Sequence, residues 1–244
     1  MYRIKNSIHF DILSLFPGYF QGLLNESVIS RAIKQGLIGI RLINIRDFAN
    51  NKWKRVDDRP YGGGPGMVLM PEPVAKAIRK AKRDAVYLGH QPRVIYLSPQ
   101  GSPLTAKKCR ELAASPYLIL LSGHYEGIDE RVLELEVDEE ISIGDYVLTN
   151  GCIAAIVLVD AVSRLVPGVL GDSESVEQDS FEDGLLDHPH FTRPEEFEGK
   201  KVHSVLLSGN HQKIAEWRFQ ARLEKTARVR PDLKKKFLLG ENHE

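Results

Sequence analysis

The sequence has few cysteines and no long apolar run, and both absences narrow the class of protein. Only two cysteines, Cys109 and Cys152, occur in 244 residues, and they stand far apart. Their number and spacing exclude a disulfide framework and a cysteine-rich zinc site, so we expect a reducing, cytoplasmic setting. No stretch approaches the roughly 18 consecutive apolar residues that cross a bilayer. We therefore expect no membrane partner.

Several widespread catalytic motifs are also missing. The glycine run at 62–66 is not followed by Lys and Ser or Thr, which excludes a P-loop. No G-x-G-x-x-G opens a helix after a predicted strand, and no G-x-S-x-G occurs, which excludes a dinucleotide fingerprint and a nucleophile elbow. His188 and His190 could bind a metal by residue type. Because no cysteine or third histidine stands at a suitable spacing, we predict no metal site and favour a loop role.

The charge of the chain is balanced overall but unevenly distributed. There are 33 Lys and Arg residues and 33 Asp and Glu residues. From Asp172 to Asp187 there are seven acidic residues and no Lys or Arg, whereas from Lys200 to Lys236 there are eleven basic residues and three acidic ones. We interpret the acidic stretch as a flexible linker and the basic stretch as a surface for an anionic partner.

Apolar strands alternate with helical segments over the first two thirds of the chain. Strands are predicted at 9–15, 38–45, 93–99, 117–123 and 139–143, and helices at 27–35, 71–84, 103–115, 129–135 and 152–166. This alternation is typical of an α/β fold with a mostly parallel sheet that is covered on both faces. The polar segment 46–67 is predicted to be a functional loop. Another helix is predicted at 213–229.

Three turn-rich segments, 98–101, 122–127 and 142–151, each follow or end a predicted strand. Loops that leave the carboxyl ends of parallel strands share one edge of the sheet, where ligands bind. From the residues alone, ordinary turns remain the alternative. The helix after the third segment is apolar on nearly every side, which predicts that it is buried all round.

Seven motifs carry a resemblance to a known family. They are YGGGPGM (61–67), YLSPQG (96–101), GHYEGIDER (123–131), SIGDYVLTNG (142–151), DAVSRLVPGVLG (160–171), EQDSFEDGLLDHPHFTRP (177–194) and VLLSGNHQKIAEWR (205–218). In this order they resemble the bacterial tRNA (guanine-N1)-methyltransferases that modify position 37, the TrmD family. The resemblance covers about residues 9 to 230. It implies an S-adenosylmethionine-dependent enzyme, with Mg²⁺ as a possible further cofactor.

The resemblance also implies the fold and the domains. The family belongs to the SPOUT class, which has an α/β fold with a deep C-terminal trefoil knot, followed by a small helical domain. We expect a knotted catalytic domain at 1–171, the acidic linker at 172–187 and a helical tRNA-binding domain at 188–244. The family further implies a homodimer with shared active sites, in which the linker and tail of one subunit close over the donor bound to the other.

By the same resemblance, individual residues take roles in the site. Asp179 is the base that removes the proton from guanine N1, and Arg164 stabilises guanine O6. From the residues alone, Asp179 would be a solvated linker residue and Arg164 would pair with Asp160, four positions earlier. The methyl-donor site falls on Tyr96, Leu97, Ser98, Pro99, Gly101, Gly123, Tyr125, Glu126, Ser142, Ile143, Gly144, Tyr146, Leu148 and Gly151.

The resemblance assigns contacts to tRNA less specifically. Asp187, His190 and Arg193, with the loop 57–66, are candidates for contacts to G37 or to its 5′ neighbour, usually G36. One face of the predicted helix 213–229 is basic and suits phosphate groups, with a solvated basic face as the alternative. Its residues are Arg218, Arg222, Lys225 and Arg228.

One segment departs from the family pattern. The commonest version has Gly-Gly-Glu-Leu-Pro where this chain has Asn150-Gly-Cys-Ile-Ala154. Because Asn tolerates a left-handed backbone better than most residues, we expect Asn150 to keep the shape of the loop. Two other functions are a non-catalytic RNA-binding protein that kept the fold and a knotted methyltransferase acting on ribose 2′-OH or ribosomal RNA. Intact Asp179 and Arg164 argue against the first, and the long segment 177–194 argues against the second.

Overall fold

A computed structural model describes residues 7–171 and 179–240. The chain divides into two compact units, Met1–Asp172 and Ser173–Glu244. Residues 1–6, 172–178 and 241–244 lie outside the described ranges, so the predicted linker is described only from Asp179 onward. Across the described ranges, no helix is long and apolar enough to span a membrane.

The first unit is built on a parallel β-sheet. Its strands are β1 (Ile8–Ser14), β2 (Ile38–Asn44), β5 (Arg93–Pro103), β6 (Tyr117–Ser122) and β7 (Glu139–Ser142). They form one sheet in the order β2-β1-β6-β5-β7, and each neighbouring pair runs parallel. Two short strands, β3 (Asp57–Asp58) and β4 (Val68–Leu69), pair antiparallel beside it. The predicted α/β fold with a mostly parallel sheet is confirmed.

Helices connect these strands at nearly the predicted positions. They are α1 (Gln21–Asn25), α2 (Ser27–Lys34), α3 (Pro71–Tyr87), α4 (Ala106–Ala113), α5 (Glu130–Glu136) and α6 (Cys152–Ser163). Helix α4 begins later than predicted because the side chain of Thr105 accepts a hydrogen bond from the backbone N–H of Lys108, 3.2 Å away, and so caps its first turn. Short 3-10 helices occur at Pro17–Phe20 and Ile45–Phe48.

The second unit contains a β-hairpin and three helices within its described residues. The hairpin pairs β8 (Glu196–Phe197) with β9 (Lys200–Lys201). The helices are α7 (Ser204–Leu207), α8 (His211–Val229) and α9 (Pro231–Leu239). The predicted helix 213–229 is α8, and it begins earlier because the side chain of Asn210 caps the N–H of Lys213 at 3.1 Å.

Alternating side chains of the central strand β6 enter two separate cores. Leu118 and Leu120 join the cluster that contains α2 and α6, whereas Ile119 and Leu121 join the cluster that contains α3 and α5. All six residues of β6 are buried. Fully burying one such side chain stabilises a fold by roughly 1.5–3 kcal/mol. Burial on both faces therefore fixes β6 at the centre of the first unit.

Helix α6 is not buried on every side, so the prediction from its composition was wrong in part. Leu158 and Val162 are fully buried, but Ile153 and Val157 are each 41% exposed. Residues four positions apart lie on the same face of a helix. Ile153 and Val157 thus form an apolar strip that is open to solvent, and we call this pair the α6 strip.

An irregularity in β5 shapes one edge of the sheet. The pairing of β5 with β7 shifts register between Leu97 and Ser102, so residues 98–101 bulge out of the ladder. After the bulge, the backbone of β5 at Gly101 lies close to the backbone of β7 again. A Cβ atom at this position would collide with the backbone nitrogen of Ile141 and would lie 2.6 Å from the carbonyl oxygen of Glu140. The absence of a side chain at Gly101 therefore permits the β5–β7 contact.

We expect Gly101→Ala to destabilise the protein by about 1–3 kcal/mol, because the added methyl group meets rigid backbone rather than a flexible side chain. Gly18→Ala is the matched control, since nothing lies within 4 Å of a Cβ atom at that position. Urea unfolding followed by circular dichroism measures both variants. Equal unfolding midpoints for the two would contradict the prediction.

Candidate active site

The order of the strands brings three loops together. Strand β5 lies between β6 and β7, so the bulge 98–101 and the loops 123–127 and 143–151 meet at one edge of the sheet. The backbone N–H of Gly151 donates to the carbonyl of Gly123 at 2.8 Å, and that of Leu104 donates to the carbonyl of Ser142 at 2.8 Å. The last loop is thus bound by backbone hydrogen bonds to its neighbours.

These three loops enclose a cavity of about 230 Å³, just below the roughly 300–1,000 Å³ of typical small-molecule sites. Tyr125 and Tyr146 stand at it with 43% and 55% of their surfaces exposed. Thirteen of the fourteen residues assigned to the methyl-donor site line it. The exception is Gly101, which packs against β7 instead.

The loop 143–151 is shaped by local hydrogen bonds at its start. The hydroxyl of Ser142 accepts from the backbone N–H of Gly144 at 3.2 Å and donates to its carbonyl at 3.1 Å. Gly144 has a φ of 149°, and a Cβ atom there would lie 2.5 Å from the ring of Tyr146. Glycine is therefore required for Tyr146 to lie over the turn.

Asn150 supports the end of this loop through its side chain. Its Oδ1 accepts the backbone N–H of Cys152 at 2.9 Å, which satisfies a donor in the first turn of α6. The expectation of a left-handed backbone was wrong: the non-glycine residue of the cavity with positive φ is Tyr125, at 58°. Asn150 is 7% exposed, so a buried hydrogen bond, and not a special backbone conformation, explains the residue.

Close packing also fixes the loop 123–127. A Cβ atom on Gly123 would lie 2.8 Å from the hydroxyl of Tyr96. Burial, together with the charges of Glu140 and Glu130, raises the pKa of Tyr96 to about 12. Tyr96 is therefore a neutral hydroxyl at physiological pH.

The glycine-rich loop 61–67 also contacts the loop 123–127. A Cβ atom on Gly66, where φ is 79°, would collide with the carboxylate of Glu126, and the backbone N–H of Glu126 donates to the carbonyl of Met67 at 2.9 Å. The YGGGPGM motif thus positions Glu126.

The polar groups of the cavity suit a ligand with a positive charge. Among the described residues that line it, Glu126 supplies the one carboxylate. Burial, and then the charge of Arg46, lower the pKa of His124. Its Nδ1 and the hydroxyl of Ser122 are buried without a hydrogen-bond partner. Apolar side chains such as Leu97 and Ile141 cover the remaining wall. A cationic molecule of moderate size fits this combination.

Arg164 follows the last residue of α6 and belongs to the first unit. Its backbone N–H donates to the carbonyl of Asp160 at 3.2 Å. A cation at the C-terminal end of a helix is favoured by the helix dipole. Arg164 is not among the residues that line the cavity.

Asp179 belongs to the second unit, in a segment that the sequence assigned to a flexible linker. Residues 179–187 are instead folded in turns against α8, which differs from that prediction. Leu185 is fully buried, and the backbone N–H of Leu186 donates to the hydroxyl of Thr226, which is itself buried, at 3.0 Å. The backbone N–H of Asp187 donates to the hydroxyl of Ser180 at 2.9 Å. The burial of Leu185 and these hydrogen bonds keep the segment folded despite its acidic composition.

Arg222, a predicted phosphate contact, completes this attachment. Its guanidinium forms an ion pair with Asp183 and donates to the carbonyl of Leu186 at 3.3 Å. Its side chain is 17% exposed. Arg218 is exposed and Lys225 is partly exposed on the same helix. The basic face of α8 that is open to an anionic partner therefore depends on these two residues and on Arg228, which is also exposed.

Comparison with known proteins decides the family. A family model described as tRNA (Guanine-1)-methyltransferase TrmD matches residues 8–236. The chain belongs to this family. A protein of Protochlamydia amoebophila named tRNA (guanine-N(1)-)-methyltransferase is 64% identical over 91% of this chain and 98% of its own length. Proteins of Chlamydia pneumoniae and Chlamydia muridarum with the same name are 61% and 58% identical, over 91% and 95% of this chain but only 60% and 64% of their own lengths.

Membership of the TrmD family confirms the resemblance carried by the seven motifs. The structure adds cavity residues that the motif assignment missed, namely Gln100, His124, Gly127, Ile141, Val147, Thr149, Asn150 and Ala154. Nearly all of them lie beside assigned residues in the same loops. Continuity along each loop is the signal that would have identified them.

Proposed function

We propose that this chain transfers a methyl group from S-adenosylmethionine to N1 of guanosine 37 in the tRNA anticodon loop, with a preference for G36-G37. The observation that carries the proposal is the cavity formed by the three loops in a member of the TrmD family. The first unit is the catalytic domain, and residues 188–244 form the tRNA-binding domain. Asp179 and the turns that follow it form a folded arm of the second unit.

The residues of the cavity fit the methyl donor, which supplies a methyl group on a positively charged sulfonium. Gly123, Gly144 and Gly151 leave backbone groups accessible to the flat adenine ring. Glu126 is the carboxylate of the cavity lining that would favour a positively charged donor. The buried Nδ1 of His124 is an additional polar atom for a ligand to satisfy.

Asp179 and Arg164 perform the chemistry of the acceptor base in this proposal. The carboxylate of Asp179 takes the proton from guanine N1, and the electron pair left on N1 forms the new bond to the methyl carbon. The bond from that carbon to sulfur breaks, and sulfur leaves as a neutral thioether. As the proton is removed, negative charge grows on guanine O6, where the guanidinium of Arg164 stabilises it.

A trefoil knot and the tRNA contacts belong to the same proposal. Support for the knot comes from membership of the TrmD family. The proposed tRNA contacts are the loop 57–66 and the side chains of Asp187, His190, Arg193, Arg218 and Lys225. We leave Arg222 out because it pairs with Asp183. Mg²⁺ is also left out, since the one group of candidate ligands among the described residues includes two histidines, whereas Mg²⁺ prefers oxygen.

Methyl transfer to defined transcripts tests this function. We expect labelled methyl from S-adenosylmethionine to enter a G36-G37 transcript and not a G36-A37 transcript. Asp179→Asn is expected to lower the rate by about 10²–10⁴-fold, as is typical for loss of a general base. Donor affinity measured by calorimetry should be unchanged, because the proposed role of Asp179 is to take the proton from guanine N1 and not to hold the donor.

The control for Asp179→Asn is Glu182→Gln, which neutralises another acid of the same folded segment and should leave the rate close to wild type. Equal labelling of both transcripts would refute the assignment to guanine N1, because the A37 transcript keeps every ribose hydroxyl. Donor binding without any methyl transfer would favour a non-catalytic RNA-binding protein.

Homodimerisation is also part of the proposal. The α6 strip leaves Ile153 and Val157 each 41% exposed, and Val147 in the preceding loop is 82% exposed. Apolar surface of this kind, beside the cavity residues Val147 and Leu148, suits a partner subunit. In such a dimer, Asp179 of one subunit serves the donor bound to the other.

We expect Val157→Glu to convert the dimer to a monomer and to abolish methyl transfer, because the interface would have to bury an unpaired carboxylate. Leu135→Glu on α5 is the control, since Leu135 is 72% exposed and lies outside the strip. Sedimentation velocity measures the oligomeric state. A Val157→Glu variant that stays dimeric and active would rule out this surface.

A further inference from the structure

Three side chains that commonly bind metal ions stand together in the second unit. They are Asp187, His188 and His190, whose ligand atoms all lie within 4.8 Å of one another. His190 Nε2 is 2.7 Å from Asp187 Oδ2, and His188 Nε2 is 3.9 Å from Asp187 Oδ1. The sequence offered no third ligand of the usual kind for the His-Pro-His segment. The fold supplies one in the residue immediately before it.

The hydrogen bond of His188 indicates which of its nitrogens can bind an ion. Its Nδ1 lies 3.1 Å from the carbonyl oxygen of Pro189. A carbonyl oxygen can only accept, so Nδ1 donates in this hydrogen bond and Nε2 is the nitrogen left to bind an ion. Nε2 lies 3.9 Å from a carboxylate oxygen of Asp187, which is longer than a hydrogen bond.

We propose that, in the absence of tRNA, Asp187, His188 and His190 bind a divalent transition-metal ion of the Zn²⁺ type. Two imidazoles and one carboxylate are ligands that Zn²⁺ accepts readily. Bonds of about 2.0–2.2 Å to a tetrahedral ion place its ligand atoms about 3.3 Å apart. The distance from Asp187 to His190 Nε2, 2.7 Å, is shorter than this value, and the distance from Asp187 to His188 Nε2, 3.9 Å, is longer. Small side-chain movements would complete the site and leave a fourth position for water.

The surroundings hold two of the three ligands in place. Asp187 accepts the backbone N–H of His188 at 2.6 Å, and its own backbone N–H is bonded to Ser180. The side chains of Asp187 and His188 are only 22% and 10% exposed, whereas that of His190 is 70% exposed. Two ligands are therefore preorganised, and the third is free to adjust. Hydrogen bonds that orient metal ligands in this way are typical of metal sites.

Titration of Zn²⁺ into the full-length, chelator-treated protein tests the proposal. Calorimetry should report one ion per chain. His188→Asn and Asp187→Asn should each weaken binding more than about tenfold, since even loss of an outer hydrogen-bond partner costs about 10–100-fold. His203→Asn is the matched control, because His203 is exposed in the same unit and lies outside the cluster. Its affinity should equal that of the wild type.

His190→Ala provides a variant that should retain the fold, since its side chain is largely exposed, and circular dichroism checks this. It should also weaken Zn²⁺ binding more than about tenfold, by the same reasoning. The absorption spectrum of bound Co²⁺ should show tetrahedral coordination that disappears in the same variants. Failure to bind Zn²⁺, or equal binding by wild type and all three ligand variants, would overturn the proposal. Because neither donor nor tRNA is present, such a failure is separate from any failure of the proposed methyl transfer.

Discussion

The hydrogen bond from Gly151 to Gly123 is the contact on which the cavity of the first unit depends. It joins the loop before α6 to the loop after the central strand β6, at 2.8 Å between backbone atoms. A Cβ atom on Gly151 would lie 2.8 Å from the backbone nitrogen of Gly123, so only glycine permits this approach. Asn150 then fixes the start of α6 by capping Cys152. The catalytic proposal follows from this arrangement, because it leaves backbone groups of three loops facing one small space.

In the second unit, an equivalent role belongs to the attachment of residues 179–187 to α8. Thr226 and Arg222 hold this segment through hydrogen bonds to the backbone of Leu186, and Leu185 provides the apolar anchor. A general base needs a defined position, and a folded arm supplies one more readily than a solvated linker. The same attachment orders Asp187, so the proposed base and the proposed metal site share one structural support. Changes to Thr226 or Arg222 therefore affect both.

Local patterns predicted the sheet, its covering helices and the three loops that meet at its edge, and the family resemblance supplied most of the cavity residues. Contacts between distant residues were not predictable. Strand β6 is a nearly continuous apolar run that is buried throughout, which is the sequence pattern of a central strand in a parallel sheet. The burial of residues 179–187 instead depends on Asp183 meeting Arg222, 39 positions away, which an acidic composition conceals. Helix α6 looked buried because composition reports how apolar a helix is and not which neighbour covers it. For Asn150, the residue type suggested a backbone conformation, but the structure uses its side chain as a helix cap.

Hydrogen–deuterium exchange with and without the donor product S-adenosylhomocysteine tests most directly whether the three loops form one donor site. Exchange reports local opening of backbone hydrogen bonds, so a bound ligand slows it where backbone groups are held. We predict slower exchange in peptides that cover 98–101, 123–127 and 143–151, with little change in α8 and α9. Unchanged exchange in those three segments at saturating ligand, or slowing confined to the second unit, would contradict the assignment of the cavity.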